Sequence, residues 1–418
     1  MKLHLLSLPK MFGSNEELKE LRPIGRNVER YQRMLREVEE IALLAEDYGF
    51  TAFGTTEHHF HTEGIEAMPS PLIFYTKIAQ QTKNLIFMPT SLVMPARDPM
   101  RTAEDVALFD SMFPGRIKFS VARGYQKRWV QTLMQDDNAY SSFKPEEKEA
   151  DQRNREIFNE YLDVMMLAWT EEAFIYEGEH YQVPYPVTGI GGWAGWEVTR
   201  DFGAIDEVGD DGVLRKIGVI PAPATKPHPE MFVPFSGSPQ TLIDTAKRGF
   251  GVLLLESKHD KFLEQCKKYQ QVMADAGREV GLGEKIAAVR LITLGDSFEE
   301  AMEIGTRTSG WDFYNYFSKF GFAELFRNEE DDPDKFVEFK DARHCAERMH
   351  EAGHLICGTT DEVNEQIADL RKCHADESEG GDLEWLSWEF YQQGNLPLDE
   401  QKRQLKMFAD DVWPNFRD

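Results

Sequence analysis

The sequence predicts an α/β protein: a closed (β/α)₈ barrel with long insertions at the C-terminal face of its strands. Short apolar runs alternate with amphipathic stretches along most of the 418 residues. Roughly eight of the apolar runs read as strands, the number that closes such a barrel. Parallel strands need crossover helices, and the stretches between the runs supply them. An open doubly wound sheet is the alternative architecture for the same alternation.

The elements follow in order. Leu3 to Leu8 reads as the first strand. In the next helix Tyr31, Met34, Leu35, Val38, Ile41, Ala42 and Ala45 recur at spacings of three and four, which defines one apolar face. Gly49 ends it, and Phe50 to Thr55 is the second strand. Pro69 to Thr82 reads as a helix and Leu85 to Met94 as a buried strand. Asp98 is placed to cap a helix that has Pro99 at its first position. Pro114-Gly115 stop that helix, and Ile117 to Val121 is the fourth strand.

The alternation resumes downstream. Met231 to Phe235, Gly251 to Leu255 and Ala287 to Thr293 read as strands. Leu242 to Arg248 and Leu263 to Ala276 read as helices. Thr359 and Glu362 have the spacing of a capping box, which opens a helix reaching Cys373. Leu383 to Trp388 is the last strand and Asp399 to Val412 the last helix. Two excursions interrupt the pattern. Residues 179–229 are rich in Gly and Pro, with a hairpin expected over Trp196 to Ile220. Residues 311–358 start with Trp311, Phe313, Tyr314, Tyr316 and Phe317 and turn acidic at Glu329 to Asp334. Both read as excursions of a single domain over residues 1–418, lying at the strand ends where barrels keep their sites.

Composition excludes several classes. The chain carries 47 Lys+Arg against 73 Asp+Glu, a formal net charge of −26. Nucleic acid and anionic membrane are therefore not expected partners. No apolar run approaches the ~18 residues that cross a bilayer. The opening Met1 to Gly13 reads as a strand and its exit rather than a signal peptide. Cys266, Cys345, Cys357 and Cys373 have neither CxxC nor metal spacing, which suits reduced thiols in the cytoplasm.

Several residues could carry chemistry. Glu57-His58-His59-Phe60-His61 follows the second strand, and histidine moves protons near neutral pH. Any one of these histidines can instead be structural, donating to a backbone carbonyl. His59 and His61 also form an H-x-H pair, but the further ligands of a metal-dependent barrel hydrolase are missing, so no metal is expected. Arg123-Gly124 follows the fourth strand. An arginine there can grip a phosphate in bidentate fashion, or serve a structural salt bridge. Ser236-Gly237-Ser238-Pro239-Gln240-Thr241 lies between strand and helix, where free N–H groups bind anions; simple capping by Ser238 is the plainer role. Gly189 to Ala194 matches G-x-G-x-x-A, but no strand precedes it and no amphipathic helix follows. It is a Gly-rich loop, not a dinucleotide fingerprint.

Taken in order, a set of motifs resembles a known family. It comprises Glu57-His58-His59-Phe60 and the segment Pro95-Ala96-Arg97-Asp98-Pro99-Met100-Arg101-Thr102-Ala103-Glu104-Asp105-Val106. It continues through Leu108-Phe109-Asp110, Gly115-Arg116, Arg123-Gly124, the Ser-Gly-Ser loop and Gly358-Thr359. It closes with Met407-Phe408-Ala409-Asp410-Asp411-Val412-Trp413-Pro414. The set resembles bacterial luciferase and its relatives, the flavin-dependent luciferase-like monooxygenases of the alkanal monooxygenase alpha-chain type. It spans nearly the whole chain.

The resemblance implies a barrel that binds reduced FMN at its strand ends. It implies reaction with O₂ to a C4a-peroxyflavin and insertion of one oxygen atom into a small organic substrate. By motif position, His58 is similar to the catalytic histidine and Arg123 to the phosphate-binding arginine. Ala122 and Tyr125 flank the cofactor, and Ser238 and Thr241 add phosphate contacts. Thr90-Ser91 falls where the family has a non-proline cis peptide under the flavin ring. Glu57, His59, Trp311 and Tyr314 are implied to line the substrate pocket. Reduced flavin is expected from a separate NAD(P)H:flavin reductase, in keeping with the missing dinucleotide fingerprint, and a homodimer is implied. Ala122 in place of a cysteine, Gly237 in place of an acidic residue and the poorly matched 311–358 loop weigh against light emission and a long-chain aldehyde substrate. Two other readings stay open: a deazaflavin (F420)-dependent oxidoreductase of the same superfamily, and a non-catalytic flavin-binding protein.

Overall fold

The computed structural model describes residues 1–141, 147–235, 239–372 and 381–417. They fall into two compact units. The first holds Met1–Ser91, Lys118–Ser120 and Glu230–Asp418, and the second Leu92–Ile117 and Val121–Pro229.

Twelve strands occur among the described residues: β1 Lys2–Ser7, β2 Ala52–Thr55, β3 Ile86–Phe87, β4 Leu92–Val93, β5 Phe119–Ala122, β6 Tyr176–Glu177, β7 Gln182–Val183, β8 Met231–Phe235, β9 Gly251–Leu254, β10 Ile286–Leu294, β11 Leu355–Gly358 and β12 Trp385–Phe390. In the first unit the order is β3-β2-β1-β12-β10-β9-β8-β5, and each of these pairings is parallel. The ring closes where Lys118 N donates to Phe87 O at 3.0 Å and Ser120 N to Pro89 O at 3.0 Å. This is the expected closed barrel, and the open sheet is set aside. β11 pairs with the upper half of β10, Leu291 beside Leu355.

Side chains alternate along a strand, so residues two apart share a face. Trp385 packs with Ala52, Met88, Phe232, Leu253, Ala287 and Val289 in the barrel interior. One layer along, His4 Nδ1 lies 2.9 Å from Ser387 Oγ. Burial holds the His4 imidazole neutral, down at about 3. Gly54 supplies the space: a Cβ there would stand 2.1 Å from Met88 O and 2.5 Å from His4 Nε2. Leu6, Leu291, Phe313, Phe326, Met349 and Cys357 belong to a second apolar cluster.

In the second unit, β4 pairs with the end of β5, Val93 beside Ala122. The helix Pro99–Met112 is capped by Asp98, whose side chain accepts from Arg101 N. It packs on the helix Lys148–Thr170, where Trp169 Nε1 donates to Ala103 O at 3.0 Å. The Asp110 carboxylate accepts from Thr225 N at 2.6 Å and Thr225 Oγ1 at 2.9 Å, which anchors the end of the first excursion.

Several expectations need correction. The Leu85 to Met94 strand is broken into β3 and β4, and a 3₁₀ turn follows at Met94–Ala96 because Pro95 cannot donate to a ladder. No hairpin forms over Trp196 to Ile220. Trp196–Phe202 is a helix, held by Trp193 Nε1 donating to Thr199 Oγ1 at 3.0 Å, and only isolated bridges such as Val208 with Leu214 recur beyond it. A small hairpin forms earlier, between β6 and β7. The excursion over 311–358 is not all loop: Ala342–Glu351 is a helix and β11 begins at Leu355. The capping box of Thr359 and Glu362 is present and opens the helix Thr360–Arg371. Cys266, Cys345 and Cys357 are buried, and Cys373 lies outside the described residues.

Candidate functional site

The C-terminal end of β2 leads directly into Glu57-His58-His59. In the first unit the segment folds back on itself. His58 N donates to Met68 O at 3.0 Å, and Ala67 N donates to Pro9 O at 2.6 Å, beyond the end of β1. Phe60 and Glu66 take positive φ values of 63° and 50°, where only a tightly held loop keeps non-glycine residues.

This loop gives each histidine a different partner. His59 Nε2 bonds the buried Glu57 carboxylate at 3.0 Å. His61 Nδ1 donates to Ile65 O at 2.6 Å, which places its proton on that nitrogen. His58 Nδ1 lies 3.0 Å from Glu66 Oε1, an ion-pair approach rather than a fully aligned hydrogen bond. The His58 and His61 rings stack at 5.5 Å and 12°. Burial is the main cause that pushes His58 well below the ordinary histidine value, and the His61 and His59 imidazoles add to it. His58 is therefore neutral at physiological pH and can accept a proton. Two of the three histidines face a carboxylate and the third donates to a carbonyl. Among the described residues no group of three or more His, Cys, Asp or Glu is placed to hold a metal ion.

Thr90-Ser91 lies next to the same strand end. Thr90 N donates to Thr55 O at 3.0 Å, and the Thr90–Ser91 peptide is cis. Ser91 Oγ is 2.5 Å from Ser120 Oγ inside the barrel. Trp311 lies under Lys10, whose Nζ is 3.9 Å from the ring centroid, and Tyr314 packs on the second apolar cluster. Tyr316 meets the histidine loop instead, edge-on to His61 at 6.1 Å. Thr241 lies half-buried in the helix Pro239–Arg248, and Ser238 falls outside the described residues.

In the second unit, Arg123 Nη1 pairs with Asp151 Oδ1 at 2.8 Å, and Arg155 approaches the other oxygen at 3.6 Å. Burial lowers the Arg123 guanidinium from its ordinary value, and Asp151 works against that. Two guanidiniums around one carboxylate form a donor set suited to a phosphate dianion. Gly124 has φ +76°, and a Cβ there would stand 2.7 Å from both Val93 and Val130. Ala122 packs against Val93, Trp129 and Val130, and Tyr125 accepts from Gln126 Nε2 at 3.0 Å.

The comparisons with known proteins complete the picture. The model of a family described as luciferase-like monooxygenase matches residues 21–377. The chain belongs to the luciferase-like monooxygenase family. An alkanal monooxygenase alpha chain from the Kryptophanaron alfredi symbiont is 25% identical over 153 residues, a match spanning 37% of this chain and only 38% of that relative. The oxygenating constituent of 3,6-diketocamphane monooxygenase from Pseudomonas putida, a type II Baeyer-Villiger enzyme solved with FMN, has TM-score 0.70 at 19% identity, over 100% of this chain and 99% of that one. An F420-dependent secondary alcohol dehydrogenase has TM-score 0.62 at 13% identity, over 100% and 99%. At such identities the structural likeness speaks for the shared barrel.

Four residues of this family member carry no mark in the sequence pattern. Glu66 lay in a stretch without pattern. Asp151 and Arg155 sit on the helix Lys148–Thr170, which the sequence reading passed over. Glu389 shares the inward face of β12 with Trp385 and Ser387, and burial raises its carboxyl to about 7. An acidic residue at the end of the last barrel strand was the available signal.

Proposed function

We propose that this protein is a flavin-dependent monooxygenase that inserts one oxygen atom from O₂ into a small organic substrate, using reduced FMN. The observation that carries the reading is His58: a buried, neutral histidine directly after β2, in a chain of the luciferase-like monooxygenase family. Bound reduced flavin would supply the electrons and the oxygen activation.

The protein residues supply the rest. Arg123, with Asp151 holding its guanidinium, is proposed to grip the FMN phosphate, and Thr241 and Ser238 are proposed as further phosphate contacts. Ala122, Tyr125, Thr90 and Ser91 are proposed to flank the flavin. His58 Nε2 is proposed to accept or return a proton at the reacting centre, and Glu57, His59, Trp311 and Tyr314 to shape the substrate pocket. The buried apolar side chains packed in the barrel interior would help to keep water from the reaction. Reduced flavin is proposed to come from a separate NAD(P)H:flavin reductase, and the protein to work in the cytoplasm as a homodimer.

The test is incubation with FMNH₂, O₂ and a panel of aldehydes, ketones and aromatics, read as substrate mass gain of one oxygen. Absence of any oxygenated product, with FMN binding intact, overturns the monooxygenase assignment. The second reading, an F420-dependent oxidoreductase, rests on the F420-dependent neighbour of the same fold. Substrate-dependent reduction of F420 without oxygen uptake would establish it instead.

A further inference from the structure

Two carboxylates of the histidine loop, Glu57 and Glu66, face two different histidines. Glu57 is committed to His59 Nε2 at 3.0 Å. Glu66 faces His58 Nδ1 at 3.0 Å, with both side chains buried, 3% and 8% exposed. Nothing in the family motif Glu57-His58-His59-Phe60 supplies this second carboxylate, since Glu66 lies six residues beyond it.

The backbone shows that Glu66 is held in place from both sides. Met68 N donates to Glu66 O at 3.0 Å, and the same Met68 accepts from His58 N at 3.0 Å, so the two residues share one anchor. Ala67 N, next in the chain, is tied to Pro9 O. Glu66 keeps φ at 50°, a conformation that residues with a Cβ rarely adopt. Glycine would fit this backbone more easily; the carboxylate is the part glycine lacks. His61 stacks on the His58 ring and donates from Nδ1 to Ile65 O, so it offers His58 no competing anion.

A neutral imidazole carries one N–H, and the partner of one nitrogen decides which. A carboxylate beside Nδ1 favours the proton there and leaves the lone pair on Nε2. From this geometry we infer that Glu66 is a positioning residue that locks His58 in the Nδ1–H tautomer and aims Nε2 as the proton acceptor. The role of Nε2 rests on the proposed function above; the tautomer does not.

The test uses the whole protein with ¹⁵N-labelled histidine, without cofactor, at pH 7.5. The His58 signal is identified by its loss in His58→Ala. Wild type is expected to show His58 as the Nδ1–H tautomer. Glu66→Gln keeps shape and removes charge, and is expected to give a mixture of tautomers. Its kcat should fall on the order of tenfold or more with KM nearly unchanged, as when a histidine loses the carboxylate that orients it. Glu66→Asp should restore the tautomer and part of kcat. An Nε2–H tautomer in wild type overturns the inference, and so does an unchanged tautomer in a folded Glu66→Gln. If Glu66→Gln does not fold, the wild-type spectrum alone decides. If the Nδ1–H tautomer is present but His58→Ala leaves oxygenation unaltered, the proposed role of His58 fails while the tautomer assignment stands.

Discussion

Lys10 Nζ and Asp312 Oδ1 lie 2.6 Å apart and closed to solvent, their side chains 6% and 3% exposed. Asn395 completes the network: its Oδ1 accepts from Lys10 Nζ at 2.6 Å and its Nδ2 donates to Asp312 Oδ2 at 2.5 Å. The segment after β1, the segment after β12 and the helix Trp311–Asn315 are joined there, and Lys10 sits over Trp311. Asp312→Ala would leave a buried ammonium without its counter-charge. It is expected to cost about 3–5 kcal/mol. A urea unfolding midpoint equal to wild type would refute this.

The barrel interior has no room at Gly54. Gly54→Ala drives a methyl into Met88 O and His4. Because the clash is with backbone, relief requires β2 to move, at a cost of about 1–3 kcal/mol. Thermal unfolding should show a lower midpoint; a stable variant would mean the strand shifts freely.

Acid should weaken the fold through its buried histidines. His4 and His354 are both held at about 3 by burial, and His58 is also well below 6.5. Below pH 6.5 the unfolded chain binds protons that the native protein excludes, so stability is greatest above that value and falls as pH drops. Each histidine contributes a slope of up to about 1.4 kcal/mol per pH unit. Between pH 6 and 5 Glu389, raised to about 7, works in the opposite sense and offsets one histidine, so it is the difference between variant and wild type that isolates His354. Urea unfolding of His354→Leu should show a shallower pH slope than wild type over that range; parallel slopes would count against the assignment.

On the proposed function, the Arg123–Asp151 contact would orient the guanidinium for the FMN phosphate. Arg123→Ala is expected to weaken FMN binding by at least ~1.5 kcal/mol, roughly tenfold. Arg123→Lys should recover only part, because a point charge lacks the planar fork. Fluorescence titration with FMN is the measurement, and an unaltered Kd would assign Arg123 to a structural role.

His58→Ala should keep flavin binding and lose most turnover, by about 10²-fold or more for a lost proton-transfer group. Equal kcat in wild type and variant would remove His58 from the chemistry.

Much of this molecule is legible in one dimension. Periodicity placed the helix Val28–Asp47 and the strands β1, β2, β8, β9 and β10 within a few residues, because burying one face leaves a mark at fixed spacing. Local chemistry marked the Asp98 cap, the Thr359 capping box and the position of His58 at a strand end. What spacing could not carry was anything set by residues distant along the chain. Closure of the ring depends on Lys118 meeting Phe87 across the barrel. The break between β3 and β4, the helix at Trp196–Phe202 and the pairing of β11 with β10 were decided by neighbours, not by pattern. The same holds for the site. The sequence by itself determined which residue types stand after β2 and β5. Only the tertiary structure decided that Glu66 faces His58, that Tyr316 rather than Tyr314 meets His61, and that Asp151 holds Arg123. A charge state depends on burial and on what lies within a few ångströms, and neither is a property of position in the chain.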